Sequence, residues 1–513
     1  MRMTDTDENK KSFLYRFLAV VEDLGNRLPH PAIMFLYLTF IVLIISGIVS
    51  SLGIEANHPV TGELITSVNL LSASGIRYLL TDMVKNFTNF APLGTVLVAM
   101  LGFCLAEKSG LLSTLLRLLV LKSPKALLVP TVLLAGVLSH TGGDIGYVLL
   151  IPLAALTFHS AGLNPIAGLA ICFAGVSGGF AANVLLSTAD PLLSGISQEA
   201  ARIIDLNYVV SPLSNWYFMS FSSLLIIGVG TLIANKITIP FLGEYKGESE
   251  KAPLEKLTPI EKKGLLYAGL TTLGLILLLL AGLIPQDGFL RDPKSPDVLH
   301  SAALTGVVAI IFLFGALPGL VFGFVSGKFK HQTDVTDAMQ DAMSTLAPYL
   351  VLVFFASQFI ALFNHSNMGL ILAVKGSEVL RELGLGPIPL MLGFILLTVF
   401  LDLVIGSASA KWALMAPIFV PMFMLLGISP ELSQASYRVA DSVVNIISPL
   451  MSYFPLILAF ALKYDPKAKV GTVIALMLPY SIGFLIAWSI MLFFWMTFNL
   501  PLGPGAVLKY IAP

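Results

Sequence analysis

The sequence predicts an all-α polytopic membrane protein: about nine transmembrane helices and two oppositely oriented re-entrant hairpins, arranged as an inverted repeat. Three observations lead there. Hydrophobic residues make up 56% of the 513-residue chain and charged residues 12%, against about 25% charged in ordinary soluble proteins. The mean hydropathy is +0.87. Apolar runs such as 31–52 and 265–283 approach or reach the roughly 20 residues a membrane-spanning helix needs. Two further apolar regions, 126–161 and 388–427, are too long for one crossing and carry polar clusters at their centres, SHTGGD and GSASAKW. The charge balance, 30 basic against 30 acidic residues, leaves no basic field for nucleic acid.

Taken in chain order, residues 1–31 carry charge on both sides of a short apolar stretch and lack a small-residue cleavage site. They read as a cytoplasmic amphipathic segment rather than a signal peptide. Residues 32–513 form one integral membrane domain. Simple spans are expected at 32–52, 91–121, 216–240, 264–284, 300–325, 345–363 and 471–499. Glu107 and Lys108, in AEKSG, mark a helix discontinuity. Cys104 and Cys172 lie in apolar runs and read as small core residues, not as a disulfide or metal pair. Two spans, 165–197 and 435–462, are interrupted by polar and small residues.

Charge arbitrates the topology. With the hairpins at 126–161 and 388–427 entering and leaving on one side, nine spans remain, with the N-terminus inside and the C-terminus outside. Nineteen Lys and Arg then face the cytoplasm against eight outside, as the positive-inside rule requires.

The two hairpin regions superimpose in register. Matching Pro152 to Pro417 also matches Pro165 to Pro430, Gly162 to Gly427, Tyr147 to Trp412 and Asp144 to Ser409. Each is followed by a polar, broken span. Opposed repeats of this kind mark secondary transporters, whose substrate and ion sites lie where the unwound helices meet. Backbone broken in hydrocarbon leaves N–H and C=O groups that polar neighbours must satisfy. Ser, Asn, Asp and Gly in 177–190 and 441–452, Asn183 and Asn445 among them, can do so or hold a ligand.

Several residues stand out. Asp190, in STADPLL, is either a cation or proton site or a helix cap before Pro191. Arg438 and Asp441 share a helix face, as a structural ion pair or as a site where Arg438 forks onto a substrate carboxylate while Asp441 exchanges a cation. His140 and Asp144 have metal-like spacing without a third ligand, so hydrogen bonding within the hairpin tip or a proton relay is favoured. Ser407 and Lys411 have the spacing of a hydrolase pair but no legible oxyanion arrangement; as hairpin-tip residues they more simply provide donors. Trp412 is either a stacking surface for an aromatic substrate or an interfacial anchor.

Long strings then resemble the p-aminobenzoyl-glutamate transporter (AbgT) family: NFTNFAPLGTVLVAMLG (86–102), GYVLLIPL (146–153), AGLAICFAGVSGGFAANVLLSTADPLLSGI (167–196), IGSASAKWALMAPIFVPM (405–422) and YRVADSVVNIISPLMSYF (437–454). The resemblance covers essentially the whole chain. It implies a bowl-shaped homodimer in the bacterial inner membrane, each protomer having a scaffold and a mobile transport core. It implies uptake of p-aminobenzoyl-glutamate, or export of sulfonamide antimetabolites as an antiporter, driven by a H⁺ or Na⁺ gradient and with no other cofactor. Carried over by match are Asp190, Ser409, Trp412, Pro430, Arg438, Asp441 and Pro449. The family usually has Asn where this chain has Asp402, a position linked with Asp441 to Na⁺, and Ser-Asn where it has Ser139-His140. The expectation is a secondary transporter rather than an enzyme, with an ion channel or an intramembrane Ser/Lys hydrolase as the alternatives.

Overall fold

Proline starts many of the helices. Pro31, Pro165, Pro259, Pro387 and Pro430 each occupy the first turn of a helix, where the missing N–H has no intrahelical partner to lose. The computed structural model describes residues 29–57, 64–142, 145–245, 256–292, 298 and 301–511. The expected amphipathic segment at 1–31 lies almost wholly outside the described residues, as does Asp144.

Among the described residues, seven helices are long and apolar enough to cross a bilayer: Pro31–Ser51, Ala73–Lys108, Trp216–Leu242, Pro259–Leu283, Val307–Ser326, Ala347–His365 and Val470–Thr497. Six of them match simple spans expected, and the other, Ala73–Lys108, overlaps the span expected at 91–121 over 91–108. Two bent pairs accompany them, Leu111–Leu121 with Lys125–Thr141 at 116° and Met368–Glu382 with Pro387–Asp402 at 118°.

The span expected at 91–121 is corrected. Its helix ends at Lys108, and Gly110, at φ +85°, starts a separate helix, Leu111–Leu121. Upstream, the helix Ala73–Thr88 was not anticipated, because Thr81, Asp82, Lys85 and Asn86 make it too polar for a span. It lies against Ala347–His365, where Gln358 Nε2 donates to the Met83 carbonyl (2.9 Å) and Asn86 Nδ2 to Gln358 Oε1 (3.2 Å).

The helices sort into two kinds of environment. Pro259–Leu283 buries 3 of its 25 residues, Gly264, Ala268 and Gly282. It packs against Val307–Ser326, which in turn packs on Ala91–Lys108. That last contact is close: a Cβ on Gly102 would sit 2.5 Å from the backbone of Phe312. Pro430–Asn445 is the opposite case, buried at all 16 positions although it carries Glu431, Arg438 and Asp441. Polar side chains there are shielded from lipid by the hairpin arm Pro387–Asp402 and the helix Val470–Thr497.

The repeat is visible in the backbone. Gly162 and Gly427 adopt φ +80° and +79°, a left-handed conformation that glycine adopts without steric cost. Two residues on, Asn164 Oδ1 accepts from the Ile166 amide (3.0 Å) and Ser429 Oγ from the Leu432 amide (3.2 Å), capping the matched helices at Pro165 and Pro430. The first broken span runs as Pro165–Phe173, a wide turn Ala174–Gly178, an irregular stretch to Thr188, then Ala189–Ala201. In the second, Pro430–Asn445 is continuous and the break lies at 446–453. The expected unwinding from Asp441 is therefore corrected: Asp441 and Asn445 are helical.

Candidate functional site

A turn at 403–407 joins the helices Pro387–Asp402 and Ala408–Met424, within the region where the second hairpin is expected. The GSASAKW cluster is thus mostly helix, not tip. Ser407 Oγ caps the second arm by accepting from the Ala410 amide (3.4 Å). Lys411 and Trp412, one turn further on, are fully buried. Ser409 is half-buried in the first turn. The five-residue turn brings Asp402, at the end of one arm, against Lys411, near the start of the other.

Lys411 meets two carboxylates. Its Nζ pairs with Asp402 Oδ1 and lies 2.8 Å from Asp441 Oδ1, with all three side chains at most 2% exposed. Asp441 Oδ2 also accepts from Asn445 Nδ2 (3.3 Å). The Tyr437 hydroxyl lies 3.2 Å from Asp441 Oδ1 and 2.5 Å from the Ala408 carbonyl, so its one proton serves either acceptor. A buried ammonium is costly unless paired, and here it has two partners. With one cation and two carboxylates, the cluster carries an excess negative charge.

The second cluster is built across the two broken spans. Arg438 Nη1 donates to Asp190 Oδ1 (2.6 Å). Asp190 Oδ2 accepts from the Ser187 amide (2.5 Å) and hydroxyl (2.9 Å), which fixes the carboxylate at the start of Ala189–Ala201. An acidic group there is also favoured by the helix dipole. Arg438 Nε is buried and without a hydrogen-bond partner among the described residues. The Arg438–Asp441 ion pair considered from sequence is therefore not formed: each residue pairs with a different element. The two clusters are three residues apart on one helix.

Other expectations are placed as follows. Trp412 is neither an open stacking surface nor an interfacial anchor. It is fully buried, its Nε1 donates to the Leu193 carbonyl (3.2 Å) and to Ser197 Oγ (3.0 Å), and its ring packs at 4.6 Å on Tyr437. The Ser407–Lys411 hydrolase pair is not formed, since Ser407 caps its helix and Lys411 faces carboxylates. His140 bonds outside the hairpin tip: Nε2 meets the Val176 carbonyl, and its ring stands edge-on to Phe180 at 5.1 Å. It pins the first hairpin to the first broken span. Asn183, buried in that break, approaches Thr141 (3.5 Å) and accepts from the Leu185 amide (3.1 Å). Pro430 opens its helix, and Pro449 lies half-buried in the second break. The first break touches the helix Pro430–Asn445 through Ala181, whose amide donates to Ser442 Oγ (3.0 Å).

Asp402 and Asp441 offer the hard oxygens a Na⁺ would seek. The ammonium of Lys411 already lies between them. Two unit charges about 4 Å apart repel by about 4 kcal/mol at an effective dielectric near 20, so Na⁺ does not fit beside Lys411 in this arrangement.

Lys411 is the residue whose importance the sequence reading missed. The signal was present: Asp402 and Lys411 are the two charged residues in 388–427, and a charge at membrane depth needs a partner. A cavity of about 320 Å³ begins one turn from Asp190, lined by Pro191, Ser194, Gln198 and Ser211.

The profile of the AbgT putative transporter family matches residues 16–510. The p-aminobenzoyl-glutamate transport protein of Escherichia coli (strain K12) is 41% identical over 485 residues, 94% of this chain and 95% of that one. Two solved structures are similar. The Alcanivorax borkumensis YdaH transporter, described as having an unusual topology, has a TM-score of 0.89 at 48% identity, covering 93% of this chain and 100% of that chain. Neisseria gonorrhoeae MtrF, described as illuminating a class of antimetabolite efflux pumps, has a TM-score of 0.91 at 49% identity, covering 96% and 100%.

Proposed function

This chain belongs to the AbgT family of transporters, and from that premise we propose that it is a secondary active transporter of p-aminobenzoyl-glutamate-like aromatic anions or sulfonamides. The carrying observation is the Arg438–Asp190 pair, which joins the helix Pro430–Asn445 to the start of Ala189–Ala201 just after the first break. Arg438 is buried, charged and donor-only, with Nη1 on Asp190 and Nε unpartnered. A carboxylate or sulfonyl group is acceptor-only and matches the guanidinium fork. Substrate arriving on Arg438 takes the place of Asp190, so the two broken spans are linked in the empty state and released in the loaded one. The cavity beside Pro191 and Gln198 lies on the same helix as Asp190, Ala189–Ala201. Loading one cluster shifts the helix it shares with the other, which couples substrate to a cation.

The same reading places the protein in the inner membrane as a homodimer, with its N-terminus in the cytoplasm and its C-terminus outside. Proteoliposomes loaded with p-aminobenzoyl-glutamate or a sulfonamide, with pH and Na⁺ gradients imposed separately, test the function. Gradient-driven movement of either compound is expected; movement of neither overturns the reading. For the orientation, Lys256→Cys should resist an impermeant thiol reagent in intact cells, and labelling there reverses the topology.

A further inference from the structure

We infer that Lys411 is a tethered cation that takes the place of Na⁺ between Asp402 and Asp441, so that this transporter binds no Na⁺ at the position its family resemblance links to that ion. The inference deepens the proposed function by assigning the ionic character of the same core.

Three observations carry it. First, the ammonium is in contact with both carboxylates at once, and all three side chains are shut off from solvent. Second, the geometry that holds it is built into the fold. The turn at 403–407 sets the end of Pro387–Asp402 beside the second turn of Ala408–Met424, and Lys411 is flanked there by Ala410 and Trp412, both buried. Third, the remaining contacts of Asp441 are donors, from Asn445 and Tyr437, which orient the carboxylate toward Lys411. The ion pair of Asp402 is with Lys411.

A cation on a short tether competes with a free one at an effective concentration set by the tether, whatever the salt outside. Sodium entering this site must also displace a fully buried ammonium from its carboxylates, and a buried unpaired charge is strongly disfavoured. The carboxylate of Asp402 complements the ammonium by adding a second partner to Asp441. Truncating Lys411 should therefore open a Na⁺ site that the natural chain keeps closed.

The test uses purified full-length protein and needs no substrate, so failure of the proposed substrate class leaves its result standing. Radiosodium binding and melting temperature in NaCl against N-methyl-D-glucamine chloride are measured for the wild type, Lys411→Gln, Lys411→Arg and Lys411→Gln with Asp402→Asn. The double variant keeps the net charge of the cluster and covers the case in which Lys411→Gln fails to fold. The wild type and Lys411→Arg should show no saturable Na⁺ binding and no Na⁺-specific rise in melting temperature. Lys411→Gln or the double variant should gain both, with Na⁺ bound at least ~10-fold more tightly than by the wild type. Saturable Na⁺ binding by the wild type as tight as that of the truncated variants overturns the inference. So does the absence of any gain in the folded variants.

Discussion

Two charge clusters three residues apart on one buried helix follow different rules. Arg438 and Asp190 are matched one to one, and their partners come from two different broken spans. Lys411 faces two carboxylates, one from its own hairpin and one from the helix Pro430–Asn445. The first cluster has spare donor capacity at Arg438 Nε. The second has spare negative charge and a cation that cannot leave. The two clusters divide the labour: the balanced pair is suited to exchange its anion for another anion, and the unbalanced cluster keeps its tethered cation in place. Both depend on the inversion of the soluble-protein pattern that a bilayer imposes, in which the polar helix is wholly buried and Pro259–Leu283, the apolar one, is left to the lipid.

The comparison is broken most severely at Lys411. Replacing it by Gln leaves two buried carboxylates facing each other, and in Na⁺-free buffer the folded state should lose about 3–5 kcal/mol or more. Adding Asp402→Asn should recover most of that loss, as read by melting temperature. If Lys411→Gln melts like the wild type, the cluster is solvated and the contrast between the two sites fails.

Arg438→Ala should abolish transport and cost about 3–5 kcal/mol by stranding Asp190. Arg438→Ala with Asp190→Asn should restore expression but not transport, because the anion receptor is gone. Transport by the double variant would reduce the pair to a structural brace.

Trp412→Phe gives the smallest effect. It removes the Nε1 bonds to Leu193 and Ser197 while keeping most of the packing on Tyr437. The Leu193 carbonyl and Ser197 Oγ keep other partners, so a loss of about 0.5–1.5 kcal/mol is expected for the lost bonds, with substrate affinity unchanged. A selective rise in KM at normal stability would instead return Trp412 to the substrate.

Much of this architecture was legible in the chain. Length and hydropathy located the spans because hydrocarbon forces the backbone into helices of a set length. The Gly162–Gly427 and Pro165–Pro430 register located the repeat because turn glycines and first-turn prolines have few substitutes. The site residues were also legible as a set: Asp190, Arg438 and Asp441 are charges at membrane depth. Their pairing was not. Spacing along one helix favoured Arg438 with Asp441, yet Asp190 reaches Arg438 from 248 residues away. Lys411 was similarly read as a polar tip residue, because the turn's end at Ser407 depends on a cap that short polar sequence does not locate by itself. The helix Ala73–Thr88, partly polar and braced by Gln358, carries too weak an apolar signal of its own to be read as the start of a span.

The account turns on Asp190 as the group that keeps the substrate's place on Arg438. Binding of p-aminobenzoyl-glutamate to purified wild type and Asp190→Asn, measured by calorimetry beside proteoliposome transport, addresses it directly. Removing an internal competitor removes the population cost of freeing Arg438, so Asp190→Asn should bind roughly 10-fold more tightly while transport falls. Weaker or unchanged binding in Asp190→Asn would contradict the exchange of anions on Arg438.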